Sequence, residues 1–373
     1  MKKNTNSKSK QQSKGASQAE SREGFAFFIG IDLGDKHCDV CVLGPDGEER
    51  ERYQVAMKAE DLRARLGKIG RSRVAIEAGG QSRWVAEVLE GWGHQVYVSN
   101  TRKVAYISDS DAKSDPEDAH KLAELVYFKP RLLHPIQHRS QEAQADLSWI
   151  RAREVLVESR TQLVNAVRGM CKGFGTRLPK CSTEAFTERV NEQIPEVIRS
   201  VVAPLLETID FLNERIEYYD GRERRMAEKR YPKHELLTKV NGVGVHTALA
   251  FMLTIGDAER FEKSRMVGSF LGLRPRRQES GESKPQLGIT KAGDPYLRKT
   301  LVNCAHYILG AHGQDSDLRR YGKRICERGG KNGKKRAVIA VARKLAVLLH
   351  RLWVSGEVYE PLRNSPKAVK PAA

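Results

Sequence analysis

The chain has 373 residues, of which 39% are hydrophobic and 30% are charged, and its formal net charge is +18. This length predicts two or three domains, and the lack of a long apolar run excludes a protein built on membrane-spanning helices. Residues 1–24 are polar and basic without an apolar stretch, so we expect a disordered tail and not a signal peptide.

The first folded region is predicted to be an α/β domain over residues 25–135. Its strands are expected in FAFFIGID, ending at Asp32, in a segment through Val40 and Val42, in RSRVAIE, ending at Glu77, and in HQVYVSN. Amphipathic helices are expected in SRWVAEVLEGWG and PEDAHKLAELVYF. Strands with helices between them are typical of α/β domains.

Cysteine usage points to a reducing compartment. Cys38 and Cys41 have C-x-x-C spacing, but no second pair completes a tetrahedral site, and residues three apart on a strand face opposite sides. We therefore expect buried strand thiols and a protein of a reducing cytoplasm.

The segment DSDAKSDPEDAH, residues 109–120, contains five carboxylates in a basic chain. One interpretation is a solvated turn followed by a helix start, with Asp109 and Asp111 in the loop, Asp115 as the N-cap and Asp118 in the first turn. The other interpretation is a divalent-metal site, because Asp115 and Asp118 are three apart and share a helix face.

The metal interpretation draws in two more carboxylates. Asp32 and Glu77 each close a predicted strand, and groups beyond the carboxyl ends of parallel strands line a common crevice. Four unpaired carboxylates at one place would repel one another, and a hard cation such as Mg²⁺ would relieve that repulsion. A metal pair about 4 Å apart is a usual device for phosphodiester chemistry.

Residues 136–235 are predicted to be helical. LSWIRAREVLVESRTQLVNAVRGM reads as one long helix, and a second begins near Pro195. Apolar residues of the second helix recur at alternating steps of three and four, with one polar break at Glu223; they are Val202, Leu205, Ile209, Leu212, Ile216, Tyr219 and Met226. This 3.5-residue spacing fits the seam of a coiled coil, with a helical hairpin as the expected form and an oligomer contact as one use of it; the alternative is an ordinary amphipathic helix on its own core.

Positive charge is concentrated in the last third of the chain. Residues 236–373 carry 26 basic and 11 acidic side chains, a net charge of +15, whereas residues 24–150 carry a net charge of −3. Such a surface favours a polyanion such as nucleic acid, although a merely basic surface is the alternative.

Two segments of this region are candidate phosphate sites. Gly242 and Gly244 lie between helical patterns, as in a helix-hairpin-helix, where exposed backbone N–H groups at a helix N-terminus can hold a phosphate. YGKRICERGGKNGKKR, residues 321–336, is predicted to be a basic loop whose contacts come from Lys331, Lys334, Lys335 and Arg336. No Walker A motif is present, so ATP hydrolysis is not expected.

The combination of blocks resembles a known family. GIDLGDKHCDVCVL, AIEAGG and DAKSDPEDAHKLAEL are similar to the three DEDD blocks of a class of bacterial insertion-sequence transposases, of which the Piv-type invertases are relatives. LLTKVNGVGVHTALAFMLTIGDAERF and FLGLRPRRQESGESKPQLGITKAGDPYLRKTLV resemble the second conserved domain of that family. The resemblance covers about residues 25–130 and 235–310, in the order that the family has.

The resemblance implies an RNase H-like, RuvC-like first domain in which Asp32, Glu77, Asp115 and Asp118 hold Mg²⁺, with Mn²⁺ as a substitute. It further implies a recombinase that a noncoding bridge RNA guides to donor and target double-stranded DNA at the nucleoid. Such enzymes act as homotetramers, with metal and serine domains from different subunits in one active site. The expected organisation is a tail at 1–24, a RuvC-like domain at 25–135, a helical or coiled-coil region at 136–235, a mainly α transposase domain at 236–355 and a flexible tail at 356–373.

The resemblance also implies a serine nucleophile. The family has an S-G pair ahead of a G-[IR]-[ST]-K-x-G-[ND] block, which here is Ser280–Gly281 ahead of GITKAGD. From the residues alone Ser280 would be a polar turn, and Ser283 and Thr290 are alternative nucleophiles. The cations expected to contact phosphate around it are Arg274, Arg276, Arg277, Lys284, Lys291 and Arg298.

Two other functions remain open. A DEDD nuclease or junction resolvase would cut with metal-activated water and would form no covalent intermediate. A nucleic-acid-binding protein without catalysis would need neither the carboxylates nor the serine.

Overall fold

The computed structural model describes residues 22–100, 115–276, 287–330 and 332–364. The chain divides into two compact units, Met1–His138 and Arg139–Ala373. The predicted division of the second unit into a helical region and a serine-bearing domain stays a prediction.

The first unit is built on a mixed sheet. Among the described residues, five strands form this sheet in the order β3-β2-β1-β4-β5. β1 pairs antiparallel with β2, β2 pairs antiparallel with β3, and β1, β4 and β5 are parallel. The strands are β1 Phe28–Leu33, β2 His37–Leu43, β3 Glu49–Ala56, β4 Arg73–Glu77 and β5 Gln95–Ser99.

The helices of this unit are α1 Ala59–Leu66, α2 Ser82–Gly91 and α3 Asp115–Phe128. The predicted elements of the region are all present in it. Sequence reasoning missed β3 and α1. β3 is an edge strand on which Val55 is the buried side chain and most others are exposed, so its sequence, ERERYQVA, lacks the apolar content that identifies inner strands.

The two faces of the sheet bury different side chains. Ile29 and Ile31 of β1 belong to one apolar cluster, together with Cys38, whereas Phe28 and Cys41 belong to a second cluster beneath α3. The predicted placement of the two thiols on opposite faces is therefore confirmed. Each of the six cysteines of the chain is free.

The close packing of α3 on the sheet depends on Gly30. A Cβ at this position would lie 2.0 Å from the carbonyl oxygen of Ala119 and 2.4 Å from the backbone nitrogen of Ala123. Its neighbours across the sheet are Cys41 and Ala75, both small. The helix therefore lies directly on the central strand, and this approach sets where its N-terminal carboxylates fall.

The second unit is mostly helical. Its helices are α4 Gln141–Gly173, α5 Phe186–Val190, α6 Glu196–Arg230, α7 His234–Thr238, α8 Val245–Ile255, α9 Met266–Phe270, α10 Pro295–Leu309, α11 Asp317–Glu327 and α12 Gly333–Ser355. α8 is the central helix, because every side chain from Thr247 to Ile255 is buried. No helix in the described parts of the chain is both long and apolar enough to cross a membrane.

The two long helices form an antiparallel hairpin. Arg160 Nη1 of α4 donates to Asn213 Oδ1 of α6 at 2.7 Å, and Arg153 Nε donates to Asp220 Oδ1 at 2.6 Å. The predicted seam of α6 is covered within the same chain: Val202, Ile209, Leu212, Ile216 and Met226 are buried. The expected helical hairpin is therefore confirmed, and Leu205 and Tyr219 of the same seam are partly buried.

The prediction of a basic loop at residues 321–336 is wrong for most of its length. The segment contains the end of α11 and the beginning of α12, with only a short connection between them. Gly329 and Gly330 adopt positive φ in this connection. The charged side chains of this segment lie on helices whose backbone packs closely on the core: a Cβ on Gly322 would lie 2.5 Å from Leu309 Cδ2 and 2.7 Å from Val341 Cγ2.

Candidate active site

Asp32 and Glu77 are brought together by strand register. β1 and β4 are parallel neighbours, with Ile31 opposite Ile76, and each carboxylate is the next residue on its strand. Side chains alternate along a strand, so both carboxylates lie on the face that carries Gly30 and Ala75, under α3. The predicted position of both residues at the ends of strands is confirmed.

The other two carboxylates are at the beginning of α3. Asp115 is the first residue of the helix and is exposed, and Asp118 is buried in the first turn. The Oδ1 atom of Asp118 lies 3.3 Å from Nζ of Lys121, with both side chains largely buried. Asp109 and Asp111 lie outside the described residues.

The electrostatics of Asp32 show that these groups act on one another. Burial, followed by the charges of Glu77, Asp115 and Asp118, raises the pKa of Asp32 from 3.8 to about 6. A carboxylate that is both desolvated and surrounded by like charge is costly to ionise. The four predicted residues therefore share one electrostatic environment.

A fifth carboxylate, Asp39, was missed in the sequence. It lies opposite Asp32 in the β1–β2 ladder, accepts a hydrogen bond from Gln54 Nε2 at 3.3 Å, and contributes to the raised pKa of Asp32. The signal was available: Asp39 alternates with buried Cys38 and Val40, so it must face the same side of the sheet as Asp32.

The donor set fits a hard divalent cation. Every group of the cluster offers carboxylate oxygen, which suits Mg²⁺ or Mn²⁺ and leaves positions for water or phosphate oxygens. Repulsion among these carboxylates contributes to the raised pKa of Asp32, and a bound cation would relieve it. Asp32, Glu77, Asp115 and Asp118 are thus suited to hold one.

In the second unit, backbone hydrogen bonds join the residues on either side of the segment that contains the predicted nucleophile. We call these paired residues, 274–276 and 288–290, the bracket. Arg276 N donates to Gly288 O at 2.9 Å, Thr290 N donates to Arg274 O at 2.9 Å, and Pro275 pairs with Ile289. The predicted residues Arg277, Ser280, Gly281, Ser283 and Lys284 lie outside the described residues. The two ends of their segment are held side by side.

The GITKAGD block closes this bracket by close backbone contact. Gly272 adopts positive φ, and a Cβ there would lie 2.2 Å from the carbonyl oxygen of Ala292. Lys291 has a φ of 56°, and its backbone N–H donates to Gly272 O at 3.1 Å. Arg298 Nη1 donates to the carbonyls of Leu271 at 3.1 Å and Ala292 at 2.9 Å.

The predicted cations of this block differ in environment. Arg274, Arg276 and Lys291 are exposed beside the bracket, where they are accessible to a polyanion. Arg298 is half-buried, and part of its guanidinium binds backbone carbonyls. Asp294 caps α10 by accepting from Leu297 N at 2.7 Å, and it pairs with Arg151.

Gly242 and Gly244 occupy the turn before α8. Gly242 has a φ of 87°, and a Cβ there would come within 2.9 Å of the Tyr307 ring. Gly244 is the N-cap of α8 and has open space around it. The expected turn between two helices is present, with α7 before it and α8 after it.

A buried polar chain beside this turn was missed in the sequence. Glu223, the polar break of α6, is 2% exposed, and its Oε2 lies 2.7 Å from Nδ1 of His246. Nε2 of His246 contacts the hydroxyl of Tyr296, and burial raises the pKa of that hydroxyl. The signal was the charged residue at a core position of a heptad, which needs a polar partner.

The basic residues at the start of α12 are exposed. Lys334, Lys335 and Arg336 lie in its first turn, and Arg336 also donates to Gly329 O at 2.8 Å. Lys331 lies outside the described residues. Cations at a helix N-terminus add to the positive end of the helix dipole, so this turn favours anions.

Two family models match the chain in sequence order. A model of IS110-type DEDD transposases matches residues 29–175, and a model described as transposases of the IS116/IS110/IS902 family matches residues 234–323. The first match contains the four carboxylates. The second contains the turn before α8 and the GITKAGD block, and the two matches together span more than half of the chain.

Individual relatives agree with these models. A probable family 20 transposase of Pseudomonas aeruginosa is 29% identical over 344 residues, which are 89% of this chain and 98% of that protein. The transposase of insertion sequence element IS1111A of Coxiella burnetii is 27% identical over 345 residues, 89% of this chain and 91% of that protein. The pilin gene-inverting protein of Moraxella lacunata, a more distant relative, is 32% identical over 114 residues, 30% of this chain and 34% of that protein. The chain therefore belongs to the IS110/IS116 family of transposases, enzymes that cut and rejoin DNA.

Proposed function

We propose that this transposase exchanges DNA strands through a covalent link between Ser280 and DNA phosphate, with the carboxylate cluster of the first unit holding the catalytic metal. The observation that carries the proposal is the convergence of Asp32, Glu77, Asp115 and Asp118 under one helix start. Carboxylates this close together repel one another, and a divalent cation would relieve that repulsion.

The sheet supports an RNase H-like assignment for the first unit. Three antiparallel strands followed by two parallel ones, in the order β3-β2-β1-β4-β5, place the central strand β1 where its last residues carry the first carboxylate. The helix α3 then brings two more carboxylates over the same strand.

Mg²⁺ is the ion we assign to Asp32, Glu77, Asp115 and Asp118. When bound, it would polarise the phosphate and offset the negative charge that develops on its oxygens. The protein's part is to fix the four carboxylates, through the β1–β4 register and through the contact of α3 with Gly30.

Ser280 is the nucleophile in this proposal. Its Oγ would bond to phosphorus while the bond from phosphorus to the leaving strand oxygen breaks; the hydroxyl loses its proton and the leaving oxygen gains one. The phosphodiester count is conserved, so no ATP is needed for rejoining. The bracket at Arg276 and Gly288 supports this role because it restricts where the ends of the segment lie.

A denaturing gel separates this mechanism from hydrolysis. Wild-type protein with labelled donor DNA and Mg²⁺ should give a protease-sensitive adduct, which Ser280→Ala should abolish together with exchange. Asp32→Asn should also abolish exchange, whereas Ser283→Ala should retain it. Cleavage by Ser280→Ala at the wild-type rate would favour a DEDD nuclease that uses water.

We further propose that a noncoding bridge RNA guides the enzyme and that the active form is a homotetramer. The net charge of +15 in residues 236–373 and the exposed cations Arg274, Arg276 and Lys291 support binding of a polyanion. RNA that copurifies with the protein should be one specific noncoding species, and exchanging the sequences of its loops should move the insertion site. Unchanged targeting would favour readout of DNA by the protein alone.

A further inference from the structure

A second group of metal-ligand side chains lies on the sheet, apart from the four carboxylates. Sγ of Cys41, Nδ1 of His120 and Oε2 of Glu49 all lie within 4.8 Å of one another. The separations are 3.4 Å from Sγ to Nδ1, 3.1 Å from Nδ1 to Oε2 and 3.6 Å from Sγ to Oε2. Thiol, imidazole and carboxylate together differ in chemistry from the all-oxygen cluster.

Three separate elements supply these residues. Cys41 is a fully buried residue of β2, Glu49 is the first residue of β3, and His120 is on α3. Glu49 and His120 are about one-third exposed, so an ion could enter from their side. The trio is thus buried at the sulfur and open at the oxygen and nitrogen.

The separations match those of a tetrahedral zinc site. With Zn–S at about 2.3 Å and Zn–N and Zn–O at about 2.0–2.1 Å, tetrahedral angles place the ligand atoms roughly 3.3–3.6 Å apart. The three observed separations agree with this range to within a few tenths of an ångström. Three hydrogen-bonded side chains without a metal have similar separations, so metal binding must be measured directly.

Charged neighbours surround the trio, and Arg52 Nε also donates to Oε1 of Glu49 at 3.2 Å, so an ion at Oε2 would share the carboxylate with this guanidinium. Nε2 of His120 lies 3.6 Å from Oε1 of Glu124, one helical turn later, and Arg52 Nη2 lies 2.7 Å from Oε2 of Glu49. A carboxylate near the outer nitrogen of a histidine favours the tautomer that coordinates through the inner one.

We propose that Cys41, Glu49 and His120 form a site for a thiophilic divalent cation, best Zn²⁺, with water as the fourth ligand. In the metal-free protein, burial and the Glu49 carboxylate raise the pKa of Cys41 to about 12, so its thiol is protonated. Binding would release that proton to solvent. The ion would fasten the β2–β3 hairpin to α3, the helix that carries Asp115 and Asp118, whichever nucleophile the enzyme uses.

Cobalt titration of the full-length protein tests this proposal. Co²⁺ is added in excess Mg²⁺, which occupies all-oxygen sites, and the absorbance is followed. A thiolate-to-cobalt charge-transfer band in the near ultraviolet and strong visible bands of tetrahedral Co²⁺ should saturate at one ion per chain. Zn²⁺ should then bleach both.

Matched variants locate the ligands. Cys41→Ala should remove the charge-transfer band, whereas Cys38→Ala, a buried thiol on the opposite face of the same strand, should leave it. Glu49→Gln and His120→Gln should keep the thiol but weaken Co²⁺ binding at least tenfold; Glu51→Gln, on the same strand as Glu49, should not. If Cys41→Ala does not fold, Glu49→Gln and His120→Gln still test the site. No band in the wild type, or a band unchanged in Cys41→Ala or in both Gln variants, would overturn the proposal.

Discussion

Alternation of side chains along β1 and β2 determines which residues of the first unit face α3. Gly30 and Asp32 face α3, as do Asp39 and Cys41 of the neighbouring strand, whereas the residues between them face the other apolar cluster. Strand ends and a helix start pointed to Asp32, Glu77, Asp115 and Asp118 in the sequence, and the structure places all four near one another. Asp39 was missed although its alternation with Cys38 and Val40 was visible in the sequence; the β1–β2 register then places it directly opposite Asp32.

The first prediction concerns Asp32 without metal. In EDTA at pH 8, Asp32→Asn should have a thermal unfolding midpoint a few degrees above the wild type, because it removes a charge whose burial, together with repulsion from the neighbouring carboxylates, raises the pKa of Asp32 to about 6. Since the folded-state pKa lies above the unfolded value, the folded wild type gains protons and stability as the pH falls through 6 towards 4. The advantage of the variant should shrink over that range.

Calorimetry in EDTA across this pH range checks the prediction, with Asp35→Asn in the exposed turn as the charge-matched control. Mg²⁺ should reverse the order, stabilising the wild type more than Asp32→Asn. An Asp32→Asn variant less stable than the wild type at pH 8 in EDTA would contradict the repulsion that the geometry indicates.

At the scale of elements, the contact of α3 with β1 determines the site. The second prediction is that Gly30→Ala destabilises the protein by about 1–3 kcal/mol or more, because the new methyl group meets the backbone of Ala119 and Ala123. It should also weaken Mg²⁺ binding by lifting Asp115 and Asp118. Gly91→Ala, at the end of α2 with open space around it, is the control.

Denaturant unfolding and Mg²⁺ titration of both variants measure these effects. A Gly30→Ala protein with wild-type stability and wild-type Mg²⁺ affinity would show that the helix can shift without cost, against the expected close packing.

The hairpin of α4 and α6 shows what a heptad pattern leaves undecided. The spacing of Val202, Ile209 and Ile216 predicted a buried stripe correctly, but a stripe does not identify its partner. The partner is α4 of the same chain. A different stripe on α6 remains exposed, with Val197 at 71% and Val201 at 60%.

The third prediction uses that exposed stripe. If it contacts another subunit, Val197→Asp combined with Val201→Asp should lower the mass of the assembly in light scattering, because a charge buried in an interface is unfavourable. The helical circular dichroism should stay unchanged, since both positions are exposed in the chain. Glu207→Asp, another exposed change on the same helix, is the control; an unchanged mass in the double variant would place the interface elsewhere.

At the scale of the whole molecule, acidic and basic side chains are concentrated in different parts of the chain. The carboxylates lie in a region with net charge −3, and the excess of positive charge is in residues 236–373. The sequence predicted this separation directly from composition. It placed the charges of residues 321–336 on a loop, because charge says little about backbone conformation when apolar contacts are made with distant helices.

The fourth prediction concerns the first turn of α12. Lys334→Ala with Lys335→Ala should weaken nucleic-acid binding and reduce the slope of log affinity against log salt by about 1–2, as expected for one or two lost phosphate contacts. Fluorescence anisotropy at several salt concentrations measures the slope. Lys58→Ala with Lys68→Ala, in the first unit, removes the same charge and should leave the slope nearly unchanged; equal effects would indicate a diffuse attraction to net charge.

The paired backbone on both sides of residues 277–286 has a consequence for how the family can diversify. Arg276 pairs with Gly288 and Thr290 pairs with Arg274, so backbone hydrogen bonds join the chain on the two sides of this segment. Substitutions and small insertions there should change reactivity while leaving melting behaviour intact, so selection can act on chemistry with little penalty in folding. Paralogues are therefore expected to differ more in the length and composition of this segment than in the glycines that enclose it.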